Sequence, residues 1–135
     1  MASSGPETRF IASIHRLLSP SFHWEKMANP YRGGTADCWY SGNKADLWIE
    51  WKFIEVPKRD DTIVNLGLSA LQVDWLNSRW SEGRNIWVIT GSKEGGVVFT
   101  DGRWNLPIRA KGFRTQIHNK AMIAKRIIDH VEHHQ

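Results

Sequence analysis

The chain has 135 residues, 41% of them hydrophobic, with 18 Lys and Arg against 14 Asp and Glu, a formal net charge of +4 and a single cysteine. That length suits one domain with a hydrophobic core that needs no staples, while the lone Cys38 excludes an internal disulfide and fits a reducing cytoplasm as a small buried hydrophobe. No apolar run approaches the roughly 20 residues of a membrane-spanning helix and the opening Met-Ala-Ser-Ser-Gly-Pro lacks the features of a signal peptide, so a cytoplasmic domain with a mildly basic surface suited to polyanions is expected.

Ser4 is placed to cap a first helix, with Pro6 in its first turn and Glu7 three residues past the cap; Phe10, Ile11, Ile14, Leu17 and Leu18 form its apolar stripe and Pro20 ends it. Phe22 to Ala28 reads as a strand, Asn29 to Gly34 as a loop, and residues 35–40 as a second strand. Ser41-Gly42-Asn43 turns the chain into a third strand at about 46–55, completing an antiparallel meander. After the charged loop Pro57-Lys58-Arg59-Asp60-Asp61, Ser69 caps a helix that carries Leu71, Gln72, Trp75, Leu76 and Trp80 and closes at Gly83. That helix is long enough to return Asn85 to Thr90, a continuous apolar run, parallel to the third strand.

Val97 to Thr100, the Asp101-Gly102 turn and Arg103 to Leu106 read as a hairpin whose two-residue loop requires positive φ angles. From Thr115 a single helix runs to the end, with Ile117, Ala121, Ala124, Ile128 and Val131 on one face. The expected division is a core at about 4–90 and an appended hairpin and helix at about 97–133 within one domain, 1–135. His130, His133 and His134 have metal-ligand spacing, yet they sit on a helix end expected to fray into a soft tail. Most of the eight tryptophans fall in regular elements and are expected as core or interface residues, although exposed ones could stack on unpaired bases.

The chemistry gathers in Asp46-Leu47-Trp48-Ile49-Glu50-Trp51-Lys52-Phe53. Side chains alternate across a strand, so Glu50 and Lys52 share one face while Leu47, Ile49, Trp51 and Phe53 fill the other. An acid and a base inside an apolar strand persist when paired, metal-bound or at a wet catalytic edge. Asp37, on the preceding strand, offers a second carboxylate. Mg²⁺ prefers oxygen donors and keeps several waters, so Asp37, Glu50 and a backbone carbonyl such as that of Trp51 suffice to hold it; Mn²⁺ takes the same ligands. Lys52 can then orient an attacking water or stabilise the charge that develops on phosphorus.

The string Gly34-Thr35-Ala36-Asp37, a strand-turn interval and then Ile49-Glu50-Trp51-Lys52 resembles the PD-(D/E)xK nuclease superfamily, and within it the VRR-NUC group of viral and repair nucleases and the small Holliday junction resolvases. The resemblance spans roughly residues 7–90 and departs from the pattern at Ala36, where a proline often precedes the aspartate. It implies a restriction-endonuclease-like α/β core with a mixed four-stranded central sheet flanked by helices. It also implies that Glu7 matches a helix-borne carboxylate, Asp37, Glu50 and Lys52 the catalytic set, and Gln72 the helix glutamine. The activity implied is metal-dependent hydrolysis of DNA that leaves 5′ phosphate and 3′ hydroxyl ends, by a homodimer acting on branched DNA.

Other readings stand beside these. Glu7 is equally explained as the far end of a capping box, and Gln72 as a helix residue at the core boundary. Asp46 is a rival aspartate whose place at the strand start suits a solvated turn carboxylate. Arg32, Lys58 and Arg59 are the candidate DNA contacts because their loops border the catalytic strands; Lys111, Arg114, Lys120, Lys125 and Arg126 belong to charged faces that solvent alone explains. A flap, nicking or duplex endonuclease, a non-catalytic nucleic-acid-binding module, or an accessory protein that binds another through its tryptophans are the alternative functions.

Overall fold

A computed structural model describes residues 5–27 and 34–133. The central sheet has five strands in the order of the chain: β1 (His23–Lys26), β2 (Cys38–Ser41), β3 (Asp46–Phe53), β4 (Ile86–Ser92) and β5 (Gly95–Phe99). β1, β2 and β3 form an antiparallel meander, β4 lies parallel to β3, and β5 folds back antiparallel on β4. The parallel step needs a crossover, and α2 (Ala70–Ser81) supplies it.

Two apolar layers sandwich the sheet. On one side Leu47, Ile49, Trp51 and Ile89 pack with Phe10 and Ile14 of α1 (Pro6–His15) and Ile123 and Ile127 of α4 (Lys120–Val131). On the other side Val88, Val97 and Phe99 pack with Leu76 of α2, Phe113 of α3 (Ala110–Thr115) and Trp104. The alternation of β3 thus divides the strand as its sequence requires, with Trp48 against the second layer and Ile49 and Trp51 in the first.

The second helix follows its local code closely: the Ser69 hydroxyl accepts from the Gln72 N–H and the Gln72 side chain accepts from the Ser69 N–H, a complete capping box. At α1 the preceding position is Gly5 with no side-chain cap, and Ser4, expected to cap it, lies outside the described residues. Ala28, Arg32 and His134 likewise lie outside them.

Four expectations beyond residue 91 are corrected. The sheet has five strands rather than four, because Gly95–Phe99 pairs with β4. The Asp101-Gly102 pair does take positive φ, 53° and 74°, but it leads into a 3-10 turn at Arg103–Asn105 rather than a returning strand. The terminal helix begins at Lys120 rather than Thr115, where an unforeseen α3 ends; between them the backbones of His118 and Gly96 bond each other, and Asn119 caps α4 by accepting from the Met122 N–H. Nor, within the described residues, does the end of α4 fray: Val131 is buried and its carbonyl accepts from the N–H groups of Lys44 and Ala45.

Candidate active site

Glu50 is 1% exposed in the middle of β3, an interior strand, and its carboxyl group faces the side from which α2 approaches. Gln72 Nε2 donates to Glu50 Oε2 at 3.2 Å, and Lys52 Nζ lies 3.8 Å from the same oxygen. The Glu50 and Lys52 spacing of two on one strand places both groups on one face, and Lys52 keeps 20% of its side chain exposed.

Asp37 stands just before β2, beyond the last β2–β3 partner pair, Cys38 and Ile49. There the Trp51 N–H donates to Asp37 Oδ2 at 3.0 Å, so a side chain continues the ladder where the backbone of β2 does not. A strand residue's N–H and C=O leave the same edge, which puts the Trp51 carbonyl on the Asp37 side. Gly34, at φ 96°, packs so tightly on the first turn of α2 that a Cβ would come within 2.3 Å of the Leu71 carbonyl oxygen; this contact seats the segment leading to Asp37 against the helix that carries Gln72.

The Glu50 and Asp37 carboxyl groups come within hydrogen-bonding reach of each other. Burial first, and the neighbouring Asp37 second, push the Glu50 pKa up to about 9, with Lys52 opposing. As carboxylates both can only accept, and Glu50 Oε1 is buried without a hydrogen-bond donor. Such a pair is relieved in one of two ways: it retains a proton, or it shares a cation. Glu7, on the first turn of α1, joins from the other layer: burial and then Asp37 raise its pKa, against Lys52 and a hydrogen bond from the Phe53 N–H.

Among the described residues no three His, Cys, Asp or Glu side chains converge closely enough to hold a metal by themselves. The donor set that fits a divalent cation is therefore Asp37, Glu50 with its unpartnered oxygen, and the Trp51 carbonyl, with water or phosphate filling the rest; this is the sparse oxygen set Mg²⁺ accepts. Glu7 interacts electrostatically with Asp37 and Lys52 and belongs to the border of this set.

The structure thus brings Glu7, Asp37, Glu50, Lys52 and Gln72 together. Lys58 and Arg59 sit elsewhere, on the exposed loop after β3, where Lys58 lines a separate cavity of about 420 Å³ with Lys93 and Arg114. Asp46 is exposed at the start of β3. His130 packs on the Trp87 ring, and the His133 N–H donates to Asn43 Oδ1.

Sequence reasoning missed the support beneath β3. Trp51 Nε1–H donates to the Tyr40 hydroxyl at 3.0 Å, and His15 Nε2 lies 2.7 Å from that same oxygen. Burial drives the His15 pKa down to about 4. The only signal for this triad was the run of aromatic residues facing one layer; nothing local in the sequence links His15 to Tyr40, 25 positions away.

No protein-family model matches the chain, and no curated protein matches it. Among solved structures, the Holliday junction resolvase Hjc from the archaeal hyperthermophile Archaeoglobus fulgidus superposes with a TM-score of 0.53 at 16% identity, covering 87% of this chain and 99% of that one. What the two share is the fold: a mixed α/β arrangement, here with a five-stranded sheet flanked by helices. Among the described residues no helix is long and apolar enough to cross a membrane.

Proposed function

We propose that residues 1–135 form one nuclease domain, an endodeoxyribonuclease dependent on Mg²⁺ or Mn²⁺, with Asp37, Glu50 and Lys52 as its PD-(D/E)xK centre. The observation that carries this reading is the buried Glu50 carboxyl, pressed against Asp37 with one oxygen left without a donor. An apolar strand has no structural use for such a group, whereas a phosphodiesterase centre needs one.

A bound divalent cation supplies Lewis acidity, which makes water nucleophilic at neutral pH and offsets the charge gained on phosphorus. The chain's own groups set the stage. The Trp51 N–H fixes the Asp37 carboxylate, and the Gln72 amide holds Glu50 by Oε2 while leaving Oε1 available. The Lys52 ammonium orients the attacking water or stabilises the pentacoordinate charge, and Glu7 adds a carboxylate at the border. Attack in line with the departing 3′ oxygen leaves a 5′ phosphate.

The finer reading is a Holliday junction resolvase acting on branched DNA as a homodimer. The fold shared with Hjc supports it, as does the resemblance in sequence of Glu7 and Gln72 to the pattern of the small resolvases and the VRR-NUC group. Two-fold symmetry of a dimer would suit the paired incisions of a four-way junction.

The test sets labelled four-way junction, flap and plain duplex side by side, with Mg²⁺ and with EDTA, for the wild type and Asp37→Asn. Paired incisions on the junction by the wild type with Mg²⁺ alone are expected. Cutting that survives EDTA or Asp37→Asn would remove the proposed centre, and preference for flap or duplex would replace the resolvase reading.

A further inference from the structure

Beside the carboxylates, between α1 and β1, lies a groove of about 310 Å³ that meets the proposed centre through Glu7 and Asp37. Its lining is apolar where Ile11, Ala12 and Cys38 contribute, and aromatic where Trp24 stands. Trp24 leaves 40% of its surface exposed on a four-residue edge strand, an unusual place for an indole with no core to fill. One side of it rests on the His15 ring, with centroids 4.1 Å apart. His15 is held by the Tyr40 hydroxyl and stays uncharged at neutral pH, so Trp24 has a fixed, neutral backing. Charge is confined to three lining residues: Lys26, Glu7 and Asp37.

Asp37 belongs to both places. It lines the groove and also faces Glu50 while accepting from the Trp51 N–H. We infer that this groove receives a single unstacked nucleobase of the DNA, laid against Trp24, with the adjoining phosphate carried past Lys26 to the Asp37–Glu50 carboxylates. The inference rests on the nuclease reading and narrows its substrate. A base within continuous duplex is stacked and paired, and drawing it out costs least where the helix is already interrupted. An aromatic platform accepts any base through its π-face, so the groove selects for structure rather than sequence. The preference for branched DNA then comes from this chain's own Trp24 rather than from dimer symmetry alone.

The experiment is photocrosslinking of the full chain in EDTA to four-way junctions carrying 5-iododeoxyuridine at successive positions around the branch point, with the crosslinked peptide mapped by mass spectrometry. Crosslinking through Trp24 from a nucleotide at the branch, and not from the same nucleotide in duplex, is expected. In parallel, Trp24→Ala should weaken junction binding about five- to 150-fold, the range for one stacked base, and leave duplex binding unchanged, while Trp24→Phe retains most of the affinity. Crosslinks that map elsewhere, equal crosslinking from duplex, or unchanged junction affinity in Trp24→Ala would overturn the proposal. Because nothing is cleaved in EDTA, the two readings fail separately: a protein that crosslinks through Trp24 yet never cuts with Mg²⁺ keeps the base site and loses the nuclease, and one that cuts without the crosslink does the reverse.

Discussion

One amide joins a helix cap to a buried acid: Gln72 accepts from the Ser69 N–H at 2.9 Å through Oε1 and donates to Glu50 Oε2 at 3.2 Å through Nε2. The residue thus has a local bond and a long-range one, and two substitutions separate them. Gln72→Glu keeps the capping box, which accepts either residue, but replaces the donor by a third carboxylate beside Glu50. Gln72→Ala loses both bonds and should cost about 1 kcal/mol of stability. Cleavage should fall at least tenfold in both, while only Gln72→Ala loses the side-chain half of the capping box, the Ser69 hydroxyl still accepting from the backbone N–H of residue 72. Thermal melting and single-turnover cleavage measured together check this; full activity in Gln72→Glu would reduce the residue to a cap.

Lys52 invites a sharper loss. Removal of a positioned acid or charge donor costs about 10²- to 10⁴-fold in rate. Lys52→Met, which keeps the stem and deletes the ammonium, should reduce single-turnover cleavage by that factor and change junction affinity in EDTA only a few-fold. Comparable losses in both measurements would make Lys52 a DNA contact instead.

The pH dependence follows from two opposed groups. In the metal-free protein Glu50 titrates near 9 instead of 4.5, so the folded chain holds a proton that the unfolded chain has released, and stability falls as pH rises between those values. His15 is displaced the other way, from 6.5 to about 4, and its contribution is lost as pH falls below 6.5. Between pH 6.5 and 9, therefore, Glu50 acts without interference from His15. Melting temperatures in EDTA should decline across that window, Glu50→Gln should flatten the decline, and Mg²⁺ should raise the melting temperature more at pH 8.5 than at 6.5. A Glu50→Gln protein with the wild-type slope would assign the proton to another group.

Gly34→Ala tests the seating of the Asp37 segment. The residue occupies φ 96° and has no room for a methyl group against the Leu71 carbonyl. Left-handed strain costs about 1–3 kcal/mol, and relief of the clash must part the segment from α2. The melting temperature should fall by several degrees, and cleavage should fall more than stability alone explains, because Asp37 and Gln72 are held on the two sides of that contact. A variant with normal activity at a temperature where it is fully folded would break the link.

Much of this was legible where local code and tertiary packing agree. Ser69 marks the start of α2 by capping alone, and the alternation through β3 divides its faces without reference to anything distant. Legibility failed where a local signal was true but misdirected. Asp101 and Gly102 adopt the positive φ that a tight hairpin requires, yet the real hairpin turns at Lys93 and Glu94, and Gly102 instead lies against the Trp80 ring. Gly95 and Gly96 are poor strand formers by composition; Gly95 serves in β5 because it takes φ 129° and a Cβ would come within 2.4 Å of the His118 carbonyl oxygen, while Gly96 sits tightly against the Phe10 ring. The groove at Trp24 was hidden for a similar reason, since its members lie on α1, β1 and the start of β2 and meet only in the folded chain.

The register of β3 carries a consequence for errors in folding. Glu50 faces Val88 of β4 across the ladder, and its neighbour Trp51 fills the layer of Phe10 and Ile14. A slip by one residue would exchange them, thrusting a bare carboxylate into hydrocarbon and leaving an indole among the polar groups. Misaligned chains would therefore be penalised by the very residue that gives the aligned chain its reactivity, so that the acid proofreads the strand on which it sits.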